Sequence, residues 1–184
     1  MSGQKVKVGI TGLGFAGVEH LKGYQEYSRS EVLAVCDLNQ ERAEQVAEEY
    51  NVPFIYTDHR EMLANDDINA ISVGLPNFLH APVTIDSLNA GKHVLCEKPM
   101  ALTFEEMDQI QRAAESSGVV VTEAFMYRHH EQTIQVKALM ESGSVGQLRV
   151  MQGQYGFNIG DGYDVRLDPS LGGGCMCCLL YTSP

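Results

Sequence analysis

The strand-like run at residues 5–10 gives way to glycines at Gly12, Gly14 and Gly17, and the segment beyond them reads as helix to about residue 25. No other feature constrains this chain as much. Gly12 permits a tight turn out of the strand, Gly14 lets a ligand approach the backbone, and Gly17 lets the helix pack close to the sheet. The helix start then offers free N–H groups and a positive dipole end to phosphate groups, with Phe15 and Ala16 inside the same turn. The pattern predicts a dinucleotide site at the head of a parallel α/β sheet. Glycines that merely shape a strand–helix turn would share it, so the context along the chain matters.

That context repeats the unit. Residues 31–37 form the next strand, Asn39 caps a helix through residue 50, residues 52–56 form a strand weakened by Pro53, and Asp58 caps a short helix through residue 63. Residues 68–74 are largely apolar, as a strand buried on both faces requires. A helix over residues 79–89 closes at Gly91, and residues 92–96 are a strand. Thr103 and Glu106 form a capping box for a helix ending at Gly118, and residues 119–122 complete the alternation. Residues 1–124 are therefore expected to be a Rossmann domain, an α/β doubly wound parallel sheet. Residues 125–177 read as the opening of a second domain, containing a helix near residues 132–141 and a strand-like stretch at residues 147–157.

A formal net charge of −11 opposes nucleic acid as a partner, since phosphate backbones call for clustered Lys and Arg. No apolar run reaches the roughly 20 residues that span a bilayer. The N-terminus lacks a signal peptide's apolar core, so no membrane partner and a cytoplasmic location are expected. Cys36 and Cys96 fall in apolar strands and read as buried thiols. Cys175, Cys177 and Cys178 crowd together as a metal cluster or disulfide would, but a non-native tail, argued below, accounts for that crowding and no metal is expected.

Asp37 ends the second strand, where an acid accepts hydrogen bonds from the adenosine ribose diol and repels a 2′-phosphate. NAD is thus favoured over NADP. Two alternatives stay open: Asp37 as a cap for the following helix, and Arg42, one helical turn on, as a phosphate ligand. Pro76, Asn77 and His80 follow the fourth strand, on the rim where such sheets bind ligands. Asn77 is a candidate cofactor hydrogen-bonding group, and His80 opens a helix, where a structural histidine is also common. Glu97 and Lys98 follow the fifth strand on the same rim. An ammonium at Lys98 would hydrogen-bond a ribose hydroxyl and the substrate oxygen, stabilising developing alkoxide charge. Its alternative is a surface ion pair with Glu97.

These motifs resemble the Gfo/Idh/MocA oxidoreductases, which include glucose–fructose oxidoreductase and inositol dehydrogenase. The matching residues are Gly12 to Gly17, Pro76-Asn77 with His80, Ala90-Gly91-Lys92-His93-Val94, Cys96-Glu97-Lys98-Pro99, and Glu123-Ala124-Phe125-Met126-Tyr127-Arg128. Gly143-Ser144-Val145-Gly146 and the run from Arg166 to Gly174 also fit. The resemblance implies hydride transfer between a nicotinamide cofactor and a carbinol carbon of a sugar or polyol, with Lys98 in the family lysine's role. It places Arg128 near cofactor and substrate, a purely structural arginine being the alternative. It also implies that the Rossmann domain is followed by a second α/β domain whose open sheet covers the active site and often joins subunits, hence a homo-oligomeric parent protein.

After Gly174 the pattern departs. Family members continue with a small apolar pair, Asp-x-Gly, and then a His or Tyr thought to act in proton transfer, none of which is present here. Residues 178–184 can be encoded by TGT-CTC-TTA-TAC-ACA-TCT-CCG, which resembles a transposase adapter end read in frame. They are expected to be a non-native tail on a truncated gene, making this chain an inactive fragment of a dehydrogenase. The alternative is a non-catalytic NAD-binding module with a regulatory or scaffolding role.

Overall fold

The computed structural model, which describes residues 5–154, 156 and 167–174, carries the expected strand–helix alternation. Its elements are β1 (Val6–Thr11), α1 (Phe15–Glu26), β2 (Ser30–Cys36), α2 (Gln40–Tyr50), β3 (Phe54–Tyr56), α3 (His59–Leu63), β4 (Ala70–Val73), α4 (His80–Asn89), β5 (His93–Cys96), α5 (Phe104–Ser117), β6 (Val121–Glu123) and α6 (Glu131–Glu141). The six strands of the described residues pair in parallel in the order β3-β2-β1-β4-β5-β6. The strand order reverses between β1 and β4, the switch point at which such sheets open a crevice for ligand.

Local chemistry sets the element ends. Asn39 and Asp58 accept from the backbone N–H groups of Arg42 and Arg60 and so cap α2 and α3. At α5, Thr103 Oγ1 accepts from Glu106 N at 3.2 Å, while Glu106 Oε2 accepts from Leu102 N at 2.7 Å. The return bond thus lands one residue earlier than in a regular capping box. Gly118 ends α5 in the left-handed region at φ 67°.

The sheet is covered on both faces. On one, Leu21 of α1 and Ala43, Val46 and Ala47 of α2 pack on Val8, Ile10, Val32 and Val35. On the other, Met62, Ala81, Leu88, Ile110 and Ala113 from α3, α4 and α5 pack on Ile71, Val73, Val94 and Cys96. Two apolar layers around a central sheet leave only the strand ends free for chemistry.

The chain divides into two units, Met1–Ala124 with Val165–Pro184, and Phe125–Asp164. In the second, a 3₁₀ turn (Met126–His129) precedes α6, whose first turn is capped by His130 Nδ1 accepting from Gln132 N. The expected strand at residues 147–157 is corrected here. Residues 147–154 and 156 carry no strand, and Tyr155 and Phe157 lie outside the described residues. Strand propensity becomes a strand only where a neighbour completes the hydrogen-bond ladder, and no such neighbour occurs among the described residues.

Candidate cofactor and active site

Three glycines interlock at the switch point. Gly12 has φ 81°, and a Cβ there would lie 2.5 Å from the carbonyl oxygen of Gly74. A Cβ on Gly17 would overlap the Gly12 carbonyl oxygen outright, and one on Gly74 would lie 2.9 Å from both Cα and N of Gly17. The first turn of α1 therefore touches the ends of β1 and β4 backbone to backbone. Gly14 is the exception: it is exposed, and nothing lies within 4 Å of a Cβ built there. Three glycines close the protein's own packing, and the fourth faces outward.

The start of α1 is left open as well. Gly14 is its N-cap, with no side-chain cap and no acid in the first turn, whereas α2, α3 and α5 are all capped by side chains. Its first N–H groups and dipole end are available to an anion. Phe15 beside them is 86% exposed, and Ala16 is half-buried.

Asp37 and Arg42 both grip Leu13 in the glycine turn. Asp37 Oδ2 accepts from Leu13 N at 2.9 Å, and Oδ1 accepts from Asn39 N at 2.9 Å. Arg42 Nε donates to Leu13 O at 3.0 Å, and its Nη1 donates to Gln45 Oε1 at 3.2 Å. The cap of α2 is Asn39, so Asp37 does not serve as one. The carboxylate after β2 and the guanidinium of α2 thus hold the N–H and the carbonyl of one residue, Leu13, in the turn after β1.

The rim residues come from two adjacent strands, since Val73 of β4 pairs with Cys96 of β5. His80 is 1% exposed, with Nδ1 2.7 Å from Pro99 O and Nε2 2.6 Å from Leu75 O. Burial pushes the ring below its ordinary value; the two carbonyls pull upward without overcoming it. Both ring nitrogens face protein carbonyls, so His80 ties the Leu75–Asn77 loop to the residues after Lys98. Asn77 Nδ2 donates to Gly172 O at 2.7 Å, which brings the described C-terminal segment onto this rim. Pro76 and Lys98 are half-buried there, and the Lys98–Pro99 bond is cis.

Glu97 is not the surface partner that the sequence allowed. It is buried, its Oε1 meets His20 Nε2 at 3.1 Å, and its Oε2 accepts from the backbone N of Lys98 at 3.1 Å. Burial alone would raise this carboxyl. The hydrogen bond and charge of His20, then the N–H and charge of Lys98, bring it below the ordinary range. The other ring nitrogen, His20 Nδ1, lies 2.7 Å from Ser72 Oγ.

Sequence reasoning missed Gly74, His20 and Ser72 as parts of the site. Gly17, His20, Leu21 and Tyr24 recur at helical spacing on the inner face of α1, and Ser72 interrupts an apolar strand; those two polar breaks were the available signal. Arg128 lies in the second unit and is exposed. Cys36 and Cys96 are buried, and burial pushes both thiols up to about 12, which leaves them inert as nucleophiles. Residues 175–184 lie outside the described residues.

Comparison with known proteins agrees with this geometry. Residues 6–125 match the family described as oxidoreductase family, NAD-binding Rossmann fold. The chain is 35% identical over 169 residues to D-xylose 1-dehydrogenase (NADP(+)) 2 of Haloferax volcanii, covering 91% of this chain and 52% of that protein. It is 32% identical over 153 residues to inositol 2-dehydrogenase of Salmonella typhimurium, covering 82% and 46%. The crystal structure of scyllo-inositol dehydrogenase from Lactobacillus casei with bound NAD(H) and scyllo-inositol superposes with a TM-score of 0.74 at 26% identity, over 78% of this chain and 43% of that one. The chain spans about half the length of the curated relatives it matches. With the glycine interlock, the open helix start and Glu97-Lys98-Pro99 on one rim, it belongs to the Gfo/Idh/MocA family of oxidoreductases.

Proposed function

We propose that this chain is the cofactor-binding half of a dehydrogenase that exchanges a hydride between NAD(H) and a carbinol carbon of a sugar or polyol. The observation that carries the reading is one rim holding an outward-facing Gly14, an uncapped helix start, Asp37 and Lys98. The residues fit a dinucleotide. The backbone at Gly14 is open to an approaching ligand where a side chain would stand in the way, and the donors at α1 suit a diphosphate. Asp37, already accepting two backbone N–H groups, has further lone pairs for ribose hydroxyls, and its charge disfavours a 2′-phosphate. NAD(H) is therefore preferred, with Arg42 as the residue that would favour NADP(H).

When bound, the nicotinamide accepts or donates the hydride. The chain's part is to hold and to polarise. The α1 N–H groups bind phosphate oxygens, Pro76 and Asn77 line the rim held by His80, and Lys98 donates to the oxygen of the reacting carbinol, where negative charge develops. Arg128 is assigned a place near cofactor and substrate once the second domain is complete. Sugar or polyol specificity, proton transfer and homo-oligomerisation are assigned to the longer protein, and this chain alone to binding. No helix among the described residues is long and apolar enough to cross a membrane, in keeping with a proposed cytoplasmic location.

The test is NADH titration of the 184-residue chain by nucleotide fluorescence, followed by assay of the longer protein on a polyol and sugar panel. Absence of NADH binding refutes the cofactor reading. Binding without turnover in the longer protein would leave a non-catalytic NAD-binding module.

A further inference from the structure

We propose that His20 is a positioning residue that couples the phosphate-binding helix α1 to Lys98 through Glu97, with Ser72 fixing the other side of its ring; this rests on the cofactor reading above. His20 lies one turn beyond Gly17 on the face of α1 that meets the sheet. Its ring bridges Ser72 Oγ at 2.7 Å and Glu97 Oε1 at 3.1 Å, and the other oxygen of Glu97 holds the backbone N–H of Lys98 at 3.1 Å. A continuous polar chain therefore runs from His20 on the dinucleotide helix through Glu97 to the backbone of the residue that bears the ammonium, with Ser72 of β4 holding the other ring nitrogen.

A serine, a histidine and an acid in hydrogen-bonding order suggest a nucleophile relay, but access excludes one. Ser72 is 0% exposed within a central strand, so no substrate carbonyl can reach it. Nor is stability the natural reason for the chain. Buried polar groups in place of apolar ones carry a desolvation penalty that a well-packed core would avoid. What the network supplies is orientation: each oxygen of Glu97 has a fixed partner, one on α1 and one on Lys98. The helix that receives the phosphates thereby sets where the lysine stands relative to the nicotinamide half of the same ligand.

Amide replacements separate coupling from packing. In His20→Gln the side-chain amide reaches the position of Nε2 and can still meet Glu97; in His20→Asn it reaches only the position of Nδ1 and Ser72. Dissociation constants of the 184-residue chain and its variants are measured for NADH and for ADP, which lacks the nicotinamide ribose and reports the glycine turn alone. His20→Asn is expected to weaken NADH binding about tenfold and ADP binding less than about twofold, whereas His20→Gln stays within about threefold of wild type for both. Glu97→Gln, which keeps the shape and one acceptor, is the second variant and should reproduce the NADH-selective loss if His20→Asn does not fold. Equal losses for Asn and Gln, or equal losses of ADP and NADH, overturn the proposal and make His20 a packing residue. A wild-type chain that binds ADP as tightly as NADH overturns it too, while one that binds neither nucleotide overturns the cofactor reading itself.

Discussion

Alanine substitution at three glycines of the dinucleotide turn should separate packing from ligand binding. A Cβ on Gly17 collides with the Gly12 carbonyl oxygen and comes within 3.0 Å of the Gly12 carbonyl carbon. Both are backbone atoms, so relief requires α1 to move off β1. A Cβ on Gly74 meets Gly17 Cα and N at 2.9 Å, a milder overlap that is also with backbone. A Cβ on Gly14 meets nothing within 4 Å, and its φ of −72° suits any residue. Overpacking costs about 1–3 kcal/mol where side chains can yield; Gly17→Ala, with no side chain to yield, is placed at about 3 kcal/mol or more, and Gly74→Ala at about 1–3 kcal/mol. For a chain of this size 1 kcal/mol moves Tm by roughly 2–4 °C, so Gly17→Ala should lower Tm by at least about 6 °C. Gly14→Ala should stay within about 1 kcal/mol of wild type yet weaken NADH binding at least about tenfold, because its methyl group stands where the diphosphate must approach. Thermal melts and NADH titrations of the three variants check the order. A Gly17→Ala chain that melts within about 2 °C of wild type, or a Gly14→Ala chain with unaltered NADH affinity, would refute the interlock argument.

Three further outcomes are expected. The chain should bind NAD(H) at least about tenfold more tightly than NADP(H), and Arg42→Ala should widen that gap; equal affinities by calorimetry would show that the guanidinium outweighs Asp37. Lys98→Ala in the longer protein should lower kcat by roughly 10²-fold or more while NADH affinity, through the lost ribose hydrogen bond, falls by only about tenfold, and an unchanged kcat in steady-state assays removes the catalytic role. His80 is held below its ordinary 6.5 in the folded chain, so its contribution to stability is complete above that value. As pH falls from 6.5 toward the lower folded value, the unfolded chain takes up the proton first, and stability drops by up to about 1.4 kcal/mol per pH unit. Urea melts at pH 7.5 and 5.5 should show a steeper loss for wild type than for His80→Gln; parallel losses count against it.

The sequence was legible where a feature is local. Asn39, Asp58 and Thr103 cap the helices they were expected to cap because each bond spans only two or three residues. The apolar runs became β1, β2, β4 and β5 because both sheet faces are covered, so no alternation was needed. The parts that escaped depend on distant residues. Gly74 matters because Gly17 rests on it, and nothing in the run Ile71-Ser72-Val73-Gly74 announces that. The alternative of Glu97 as an exposed partner of Lys98 stayed open in the sequence because the residue that Glu97 is buried against, His20, lies 77 positions away. Residues 147–154 have strand-like composition without a strand, since pairing is a property of two segments and composition of one.

The clamp on Leu13 bears on how cofactor preference can evolve or be engineered. Asp37 is the proposed selectivity residue, but its Oδ2 also anchors the N–H of Leu13 inside the glycine turn. Replacing it with a neutral residue to admit a 2′-phosphate would therefore relax the loop that must receive the diphosphate. A switch toward NADP(H) should go through an intermediate that binds both dinucleotides weakly, unless the new residue preserves the anchor. Asparagine retains an oxygen acceptor at that position; alanine does not. Arg42, held to the opposite side of Leu13, would then be the existing cation around which the new preference is built.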